Sequence, residues 1–291
     1  MLTQAHSIKE IAPNTYEIGE FDCASIFLII GRERALLIDT GIGIGDLKGL
    51  VEKLTDKPIT LVLTHGHVDY IGGMAWFDEA YLNRADWFTM FNLSPTLEGR
   101  RSYADFIAKR SGLQYDYNPA VDIRPWPAIP RILPMEDGQS FDLGARTVTA
   151  YACSGHTAGS MVFLDDQSRI LFAGDACNCN LLLASKPGTL GFVSIERALA
   201  GLQRIHAMHD RFEKLYNGHY DYRPFGEPLE DRVLSDAISC CTDLVKGNYT
   251  PERIPGMFPG SPERTVIRRG MVTVTYTEEG IHEEGKQTEN R

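Results

Sequence analysis

Ile59-Thr60-Leu61-Val62-Leu63-Thr64-His65-Gly66-His67-Val68-Asp69-Tyr70 carries the strongest chemical signal in a chain of 291 residues. Its first five residues are apolar or β-branched, the composition of a buried strand of about five residues. The seven that follow put two imidazoles and a carboxylate at the strand's C-terminal end, where a loop can aim side chains into a cleft without giving up ladder hydrogen bonds. Imidazoles at i and i+2 share one metal ion only where the backbone turns, and Gly66 between them permits the turn. A single loop histidine is ordinarily just solvated. A His-Gly-His-x-Asp grouping at a strand end reads as a metal site.

Composition narrows the class. A chain of this length with 43% hydrophobic residues buries a sizeable core. The formal net charge of −10 is spread along the chain, with a slightly acidic C-terminal stretch at Glu278, Glu279, Glu283 and Glu284 and no long basic run. Nucleic-acid and anionic-membrane binding are disfavoured by that balance. No stretch reaches the ~18 consecutive apolar residues that span a bilayer, and Met1 to Glu10 lacks a basic-then-apolar leader, so a cytoplasmic location is expected. Cysteines 23, 153, 177, 179, 240 and 241 follow neither disulfide-framework nor zinc-knuckle spacing, and reduced thiols are expected.

Working back from the histidine cluster, Tyr16 to Ile18, Ser25 to Ile30 and Ala35 to Ile38 read as strands, the last two joined in an antiparallel hairpin through Gly31 to Arg34. Asp39-Thr40-Gly41-Ile42-Gly43 then forms a glycine-rich loop. It lacks both the Gly-Lys-Ser/Thr of a phosphate loop and the dinucleotide fingerprint, so a plain turn is expected, with Asp46 capping a helix through Leu47, Leu50, Val51 and Leu54. Working forward, a short helix is expected from Gly72-Gly73 through Phe77, and Ala80 to Leu82 reads as a strand. Residues 84–131 change character: apolar residues fall at helical spacing around Trp87, Phe88 and Phe91 and again around Tyr103, Phe106 and Ile107. A proline-broken segment follows from Pro119 to Pro134. This aromatic-rich excursion, which includes Tyr115, Tyr117 and Trp126, suits a substrate pocket or a dimer contact, with packing within the excursion itself as the plain alternative.

Strands resume at Arg131 to Pro134, Ser140 to Leu143, Thr147 to Ala152, Met161 to Leu164 and Arg169 to Phe172. A helix over Ile195 to Phe212, a strand at Leu215-Tyr216, a helix over Leu229 to Val245 and a strand over Val272 to Tyr276 complete the pattern, ahead of a polar tail. Three further apolar strands end in a glycine-containing loop with a ligand-type residue: Ser154-Gly155-His156, Ala173-Gly174-Asp175 and Asn217-Gly218-His219. Alone each is weak evidence. Together with His65 and His67 they form a constellation.

These motifs resemble, in order, those of the metallo-β-lactamase fold superfamily: an early Asp-Thr-Gly (Asp39-Thr40-Gly41), His-x-His-x-Asp, Gly-His, Gly-Asp and a late Gly-His, spanning Leu37 to His219. The resemblance implies an α/β (α+β) four-layer αβ/βα sandwich, here one domain over 1–291 with a helical and aromatic insertion at 84–131. It implies that His65, His67 and His156 hold a first metal, that Asp69 and His219 hold a second with Asp175 bridging, and that Asp39 supports the histidines. Imidazole and carboxylate donors suit zinc, with iron or manganese as alternatives, and leave coordination positions open to water. Asp69 would orient a metal-bound hydroxide against a polarised carbonyl or phosphoryl group.

Tyr70 stands where the superfamily usually has another histidine. Three outcomes are open for it: a mononuclear site, a phenolate ligand favouring iron, or a hydroxyl that donates to substrate. A weak or incomplete second metal site is the expectation, and packing beside the site is the plain alternative. Cys177 and Cys179, just past Asp175, are expected to pack rather than ligate, and Tyr220 and Tyr222 stand where they can edge a pocket. The function implied is a metal-dependent hydrolase of a small ester, thioester, lactone or amide. The absent leader disfavours a secreted β-lactamase, and the acidic balance disfavours a tRNA-processing nuclease. A glyoxalase II type thioesterase stays open, though no dense basic cluster marks the C-terminal region to hold a glutathione carboxylate. An iron-dependent sulfur dioxygenase of the same fold and a non-catalytic metal-binding protein are the alternatives; a small-molecule substrate is expected, and a homodimer is left open.

Overall fold

The computed structural model describes residues 6–21, 24–92, 95–111, 117–257 and 260–283. Cys23, Tyr115, Glu284 and Met1 to Ala5, all considered above, lie outside the described residues.

Seven strands form the first sheet in chain order: β1 (Ser7–Ala12), β2 (Thr15–Glu20), β3 (Ala24–Ile30), β4 (Ala35–Ile38), β5 (Ile59–Val62), β6 (Glu79–Leu82) and β7 (Arg131–Pro134). β1 to β4 pair antiparallel, and β4 to β7 pair parallel. The parallel half needs crossovers, which are supplied by helix α1 (Leu47–Leu54) between β4 and β5, and by the one-turn helix α2 (Val68–Ile71) between β5 and β6. Asp46 caps α1 as its sequence predicts, accepting the Gly49 N–H. The excursion between β6 and β7 holds α3 (Trp87–Asn92), α4 (Leu97–Ser111) and α5 (Pro119–Asp122), the last a single turn with proline at its start. The short helix expected after Gly72-Gly73 is split in two. The chain turns helical already at Val68, inside the histidine motif, and Met74–Trp76 is a separate 3-10 turn.

A second sheet has β8 (Ser140–Asp142), β9 (Thr147–Ala152), β10 (Met161–Asp165) and β11 (Ile170–Gly174), extended past β11 by the parallel strand β13 (Lys214–Asn217). The period-2 alternation of β3 sends Phe27 and Ile29 inward against Val148, Phe163 and Phe172 of this sheet, with the Phe27 and Phe172 ring centroids 4.7 Å apart. Leu28 and Leu37 point the other way, onto Leu47 and Val51 of α1. On the far face of the second sheet, Val162, Leu164 and Leu171 pack against α6 (Ile195–His206) and α7 (Arg232–Lys246). Helix, sheet, sheet and helix therefore stack as expected.

A third sheet was not anticipated. β12 (Asn180–Leu183), β16 (Val272–Tyr276), β15 (Arg264–Arg269) and β14 (Glu252–Ile254) pair in that order, and Val272 and Val274 join the core under α7. α6 also ends at His206 rather than at Phe212. Beyond it the chain makes turns, with the His209 N–H on His206 O, yet Met208 and Phe212 still pack on the helix core, which is why the apolar spacing runs past the helix itself.

The glycine-rich loop after β4 is an anion cradle filled by the chain's own Glu20. One carboxylate oxygen accepts the Ile42 N–H at 2.6 Å, and the other accepts those of Gly43 at 2.9 Å and Ile44 at 2.8 Å. Burial outweighs these donors and pushes the Glu20 carboxyl up to about 7. A raised carboxyl contributes stability that is complete below the ordinary value of 4.5 and is lost as pH rises through about 7. Glu20→Gln turns an amide N–H toward the backbone donors, and is expected to cost about 1–3 kcal/mol at pH 5 in denaturant unfolding. The gap to wild type should narrow by pH 8; a gap that widens with pH contradicts the assignment.

Candidate metal centre

Each ligand-type residue of the sequence motifs sits just past a strand, and the strands all end at one edge of the two facing sheets. His65 and His67 follow β5, His156 lies between β9 and β10, Asp175 follows β11, and His219 follows β13. Backbone bonds lock this edge: Met161 N–H donates to Thr64 O at 2.8 Å, Gly218 N–H to Gly174 O at 3.0 Å, and Ser25 N–H to Gly218 O at 2.8 Å. The two sheets are thus joined through the loops that carry the imidazoles.

Hydrogen bonds beneath the histidines dictate their tautomers. Asp39 sits at the end of β4 with a left-handed backbone (φ 64°), a conformation an aspartate tolerates better than most residues. Its carboxylate accepts the Thr64 N–H at 2.8 Å and the Thr64 hydroxyl at 2.9 Å. With its proton committed to Asp39, the Thr64 oxygen accepts from His65 Nδ1 at 3.0 Å, which leaves a lone pair on His65 Nε2. His156 Nδ1 lies 3.1 Å from Leu182 O, an acceptor only, so His156 Nε2 also carries a lone pair. Both lone pairs face His67 Nδ1, at 3.0 Å and 2.9 Å. One N–H at that atom satisfies only one of them.

A cation seated among the three nitrogens satisfies all of them. The ligand atoms of His65, His67 and His156 lie within 4.8 Å of one another, and the ring planes cross at 81° to 85°. The two short separations approach the ~3.3 Å edge of a tetrahedron with ~2.05 Å metal–nitrogen bonds. Burial pushes His65 well below its usual range and His67 down to about 3, which keeps both imidazoles in the neutral form that ligation needs. The donor set therefore fits a metal of the kind inferred from sequence.

Asp175 lies between this trio and His219, its Oδ2 3.5 Å from His156 Nε2 and 3.3 Å from His219 Nε2. Asp69 Oδ2 is 3.8 Å from His219 Nε2 and accepts the Tyr103 hydroxyl at 2.9 Å. Burial raises the Asp175 carboxyl, but its imidazole neighbours, led by His219 through charge and a hydrogen bond, outweigh it and hold the group well below the carboxylate range. Tyr70 is fully buried and donates to Asp175 Oδ1 at 2.8 Å, where Asn178 Nδ2 also donates at 3.2 Å. Burial, Asp175 and Asp69 all push the phenol well above its usual value, so it is a neutral donor.

A cavity of about 410 Å³ opens over these groups, with His67, Asp69, His156, Asp175 and His219 on its floor. Asp69, expected to orient the hydroxide, lines this cavity, whereas Tyr70, for which donation to substrate is one of three open outcomes, lies beneath it. Of the two tyrosines after His219, Tyr222 reaches the wall and Tyr220 is buried against Phe225. Tyr103 and Arg110 of α4 also reach it. They are seven residues apart on one helix face, a spacing visible in sequence, but nothing in the sequence ties that face to the histidines. Cys177 packs into the helix-side core with Cys153, Cys240 and Cys241; both members of the adjacent pair in α7 are buried there. The described cysteines are free thiols.

The sequence profile of the Metallo-beta-lactamase superfamily matches residues 19–192. The chain is 28% identical over 247 residues to the acyl-coenzyme A thioesterase MBLAC2 of Homo sapiens, covering 77% of this chain and 81% of that one. It is 27% identical over 210 residues to the atrochrysone carboxyl ACP thioesterase of Aspergillus fumigatus, covering 71% of this chain and 50% of that one. Among solved structures, a metallo-beta-lactamase from Pontibacter korlensis superposes with a TM-score of 0.55 at 18% identity, over 82% of this chain and 99% of that one, a likeness of fold.

Tyr70→Phe removes a donor from a buried carboxylate. In the metal-free protein it is expected to lower the unfolding free energy by about 1–3 kcal/mol in denaturant titration. A cost below about 0.5 kcal/mol means that the phenol does not hold Asp175.

Proposed function

This chain belongs to the metallo-beta-lactamase superfamily of metal-dependent hydrolases, and from that premise we propose that it hydrolyses thioesters, with zinc as its metal. The observation that carries the reading is the convergence of three imidazole nitrogens, from His65, His67 and His156, at a cavity whose floor includes His67 and His156 and which is large enough for a small acyl group. The substrate class is supported by the thioesterase names of the relatives that the chain resembles along most of its length.

In this proposal His65, His67 and His156 hold one metal, and Asp69, His219 and Asp175 Oδ2 face a second, weaker position. When bound, the metal supplies Lewis acidity, lowering the pKa of water and polarising a carbonyl oxygen. Asp69, oriented by the Tyr103 hydroxyl, accepts a proton from the attacking water and holds it in line. Tyr70 occupies Asp175 Oδ1 and leaves Oδ2 facing His156 and His219. The apolar side chains of Val68, Leu182 and Met257 line the cavity beside the floor and exclude water from an acyl chain. Residues 84–131 act as an insertion in a single domain over 1–291 and contribute Tyr103 and Arg110 to the wall.

Leaving-group chemistry favours a thioester over an amide. A departing thiolate, with a conjugate-acid pKa of roughly 8.5, leaves without a proton, whereas an amide nitrogen must be protonated as it departs. The site places carboxylates and neutral imidazoles near the bond to be broken, and the Tyr70 phenol is committed to Asp175 below the floor.

The test is a matched panel of thioester, oxygen ester and amide carrying the same acyl group, assayed after metal stripping and zinc reconstitution. Thioester hydrolysis is expected to vanish with the metal and return with zinc, and His67→Ala to lower kcat/KM by ~1,000-fold. Zinc titration should give one tight and one weak site. Oxygen consumption by an iron-loaded protein without hydrolysis, or equal rates on all three substrates, overturns the reading, and two tight zinc ions overturn the weak second site.

A further inference from the structure

Asp86 ends the 3-10 turn (Arg84–Asp86) after β6 and is fully buried, outside the set of residues identified from sequence. Its Oδ2 accepts the Gly66 N–H at 2.8 Å and the Thr157 hydroxyl at 2.7 Å, and its Oδ1 accepts the Gly159 N–H at 2.7 Å. Gly66 is the residue between His65 and His67, and Thr157 directly follows His156. One carboxylate therefore grips both imidazole-bearing loops, one from each of the facing sheets.

The grip is rigid on its own side. Asn83 accepts the Ala85 N–H at 3.0 Å and donates to Met135 O at 3.2 Å, which fixes the turn to the ends of β6 and β7. Gly159 lets the His156 loop come this close, because a Cβ there lies 2.8 Å from the Cβ, Cγ and N of Asp86. Thr157 is also oriented by Ser160, whose Oγ accepts the Thr157 N–H at 3.1 Å.

We infer that Asp86 is the positioning residue of the imidazole trio, setting the separation of His67 from His156 across the two sheets by holding Gly66, Thr157 and Gly159 on one carboxylate. The inference rests on the trio's reading as a metal nest. Asp86 touches neither metal nor substrate. It acts by fixing where the two loops stand, so that the converging nitrogens are in place before the metal arrives, and its loss costs affinity through the reorganisation that binding then requires.

A purely structural staple would cost stability alone, so the deciding measurement is zinc affinity of the stripped protein in competition with a chromophoric chelator, together with the visible absorption of the cobalt-substituted protein. Asp86→Ala is expected to weaken zinc binding ~10–100-fold and to alter the cobalt bands. Asp86→Asn, which keeps one oxygen, and Thr157→Val, which removes one of three bonds, should each weaken it by at least ~3-fold. Val233→Ala, in the α7 core, should lower stability without changing affinity. Asp86 and Thr157 variants that bind zinc within about twofold of a zinc-binding wild type overturn the inference alone. A wild type that takes up no zinc overturns the metal nest with it. If Asp86→Ala fails to fold, Asp86→Asn and Thr157→Val decide by the same criterion.

Discussion

Removing charged groups from water at the shared edge of two sheets is the constraint around which this molecule is arranged. Asp39, Asp69 and Asp175 are all buried there, beside a fully buried His65 and the partly buried His67, His156 and His219. Carboxylates without partners are too costly to bury, and neutral imidazoles return little of that cost. The protein satisfies what it can: Thr64 serves Asp39, Tyr103 serves Asp69, and Tyr70 with Asn178 serves Asp175. The converging nitrogens of the trio and Asp175 Oδ2 are left for a cation. Metal binding is then coupled to the stability of this edge, because the bound state relieves a desolvation cost that the metal-free state carries.

Two buried guanidinium groups hold the ends of the sandwich. Near the site, Arg223 pairs with Glu17 at 2.7 Å and donates to both the side chain and the main chain of Asn217, so the turn into His219 is tied to β2. At the other end, Arg146 pairs with Asp165 and donates to Pro13 O, Asn14 O and Ile30 O, closing the strand ends of the first sheet onto the second. The Arg223 pair joins the two sheets, whereas the Arg146 pair lies within the second sheet and reaches the first through those carbonyls; each is surrounded by further hydrogen bonds, the condition under which breaking a buried ion pair is severely destabilising.

The candidate site was legible in sequence because each ligand-type residue directly follows its own strand, so five local signals add up without knowledge of tertiary contacts. β4, β9 and β16 fall at the residues read from alternation, as does the start of α1 at its Asp46 cap. What stayed hidden depends on partners distant in sequence. β12 pairs with β16 from 93 positions away at its first residue, Asn180 with Thr273, and its four residues carry no alternation of their own. Glu20 shows nothing in sequence to connect it with the glycine loop it fills. Asp86 follows Asn-Arg-Ala in an unremarkable turn, and only the fold brings Gly66 and Gly159 to it.

Tyr70 shows how a change of residue type at such an edge is absorbed. The resemblance implies an imidazole at this position, and the phenol is longer, with its oxygen beyond where a ring nitrogen would end. Gly218 provides the room: a Cβ there would lie 2.2 Å from the phenol oxygen. The ring packs 4.2 Å from His65, centroid to centroid, and is part of the core beneath the first sheet, so no hole is left. The hydroxyl then takes one oxygen of Asp175 by donation and fixes the direction of the other, whereas Thr64 occupies both oxygens of Asp39. A phenol where the resemblance implies a ligand is thus a brace for Asp175, holding the direction of its Oδ2. In the proposed reaction, expulsion of a thiolate asks little of a second metal, so a brace rather than a ligand at this position costs that chemistry least.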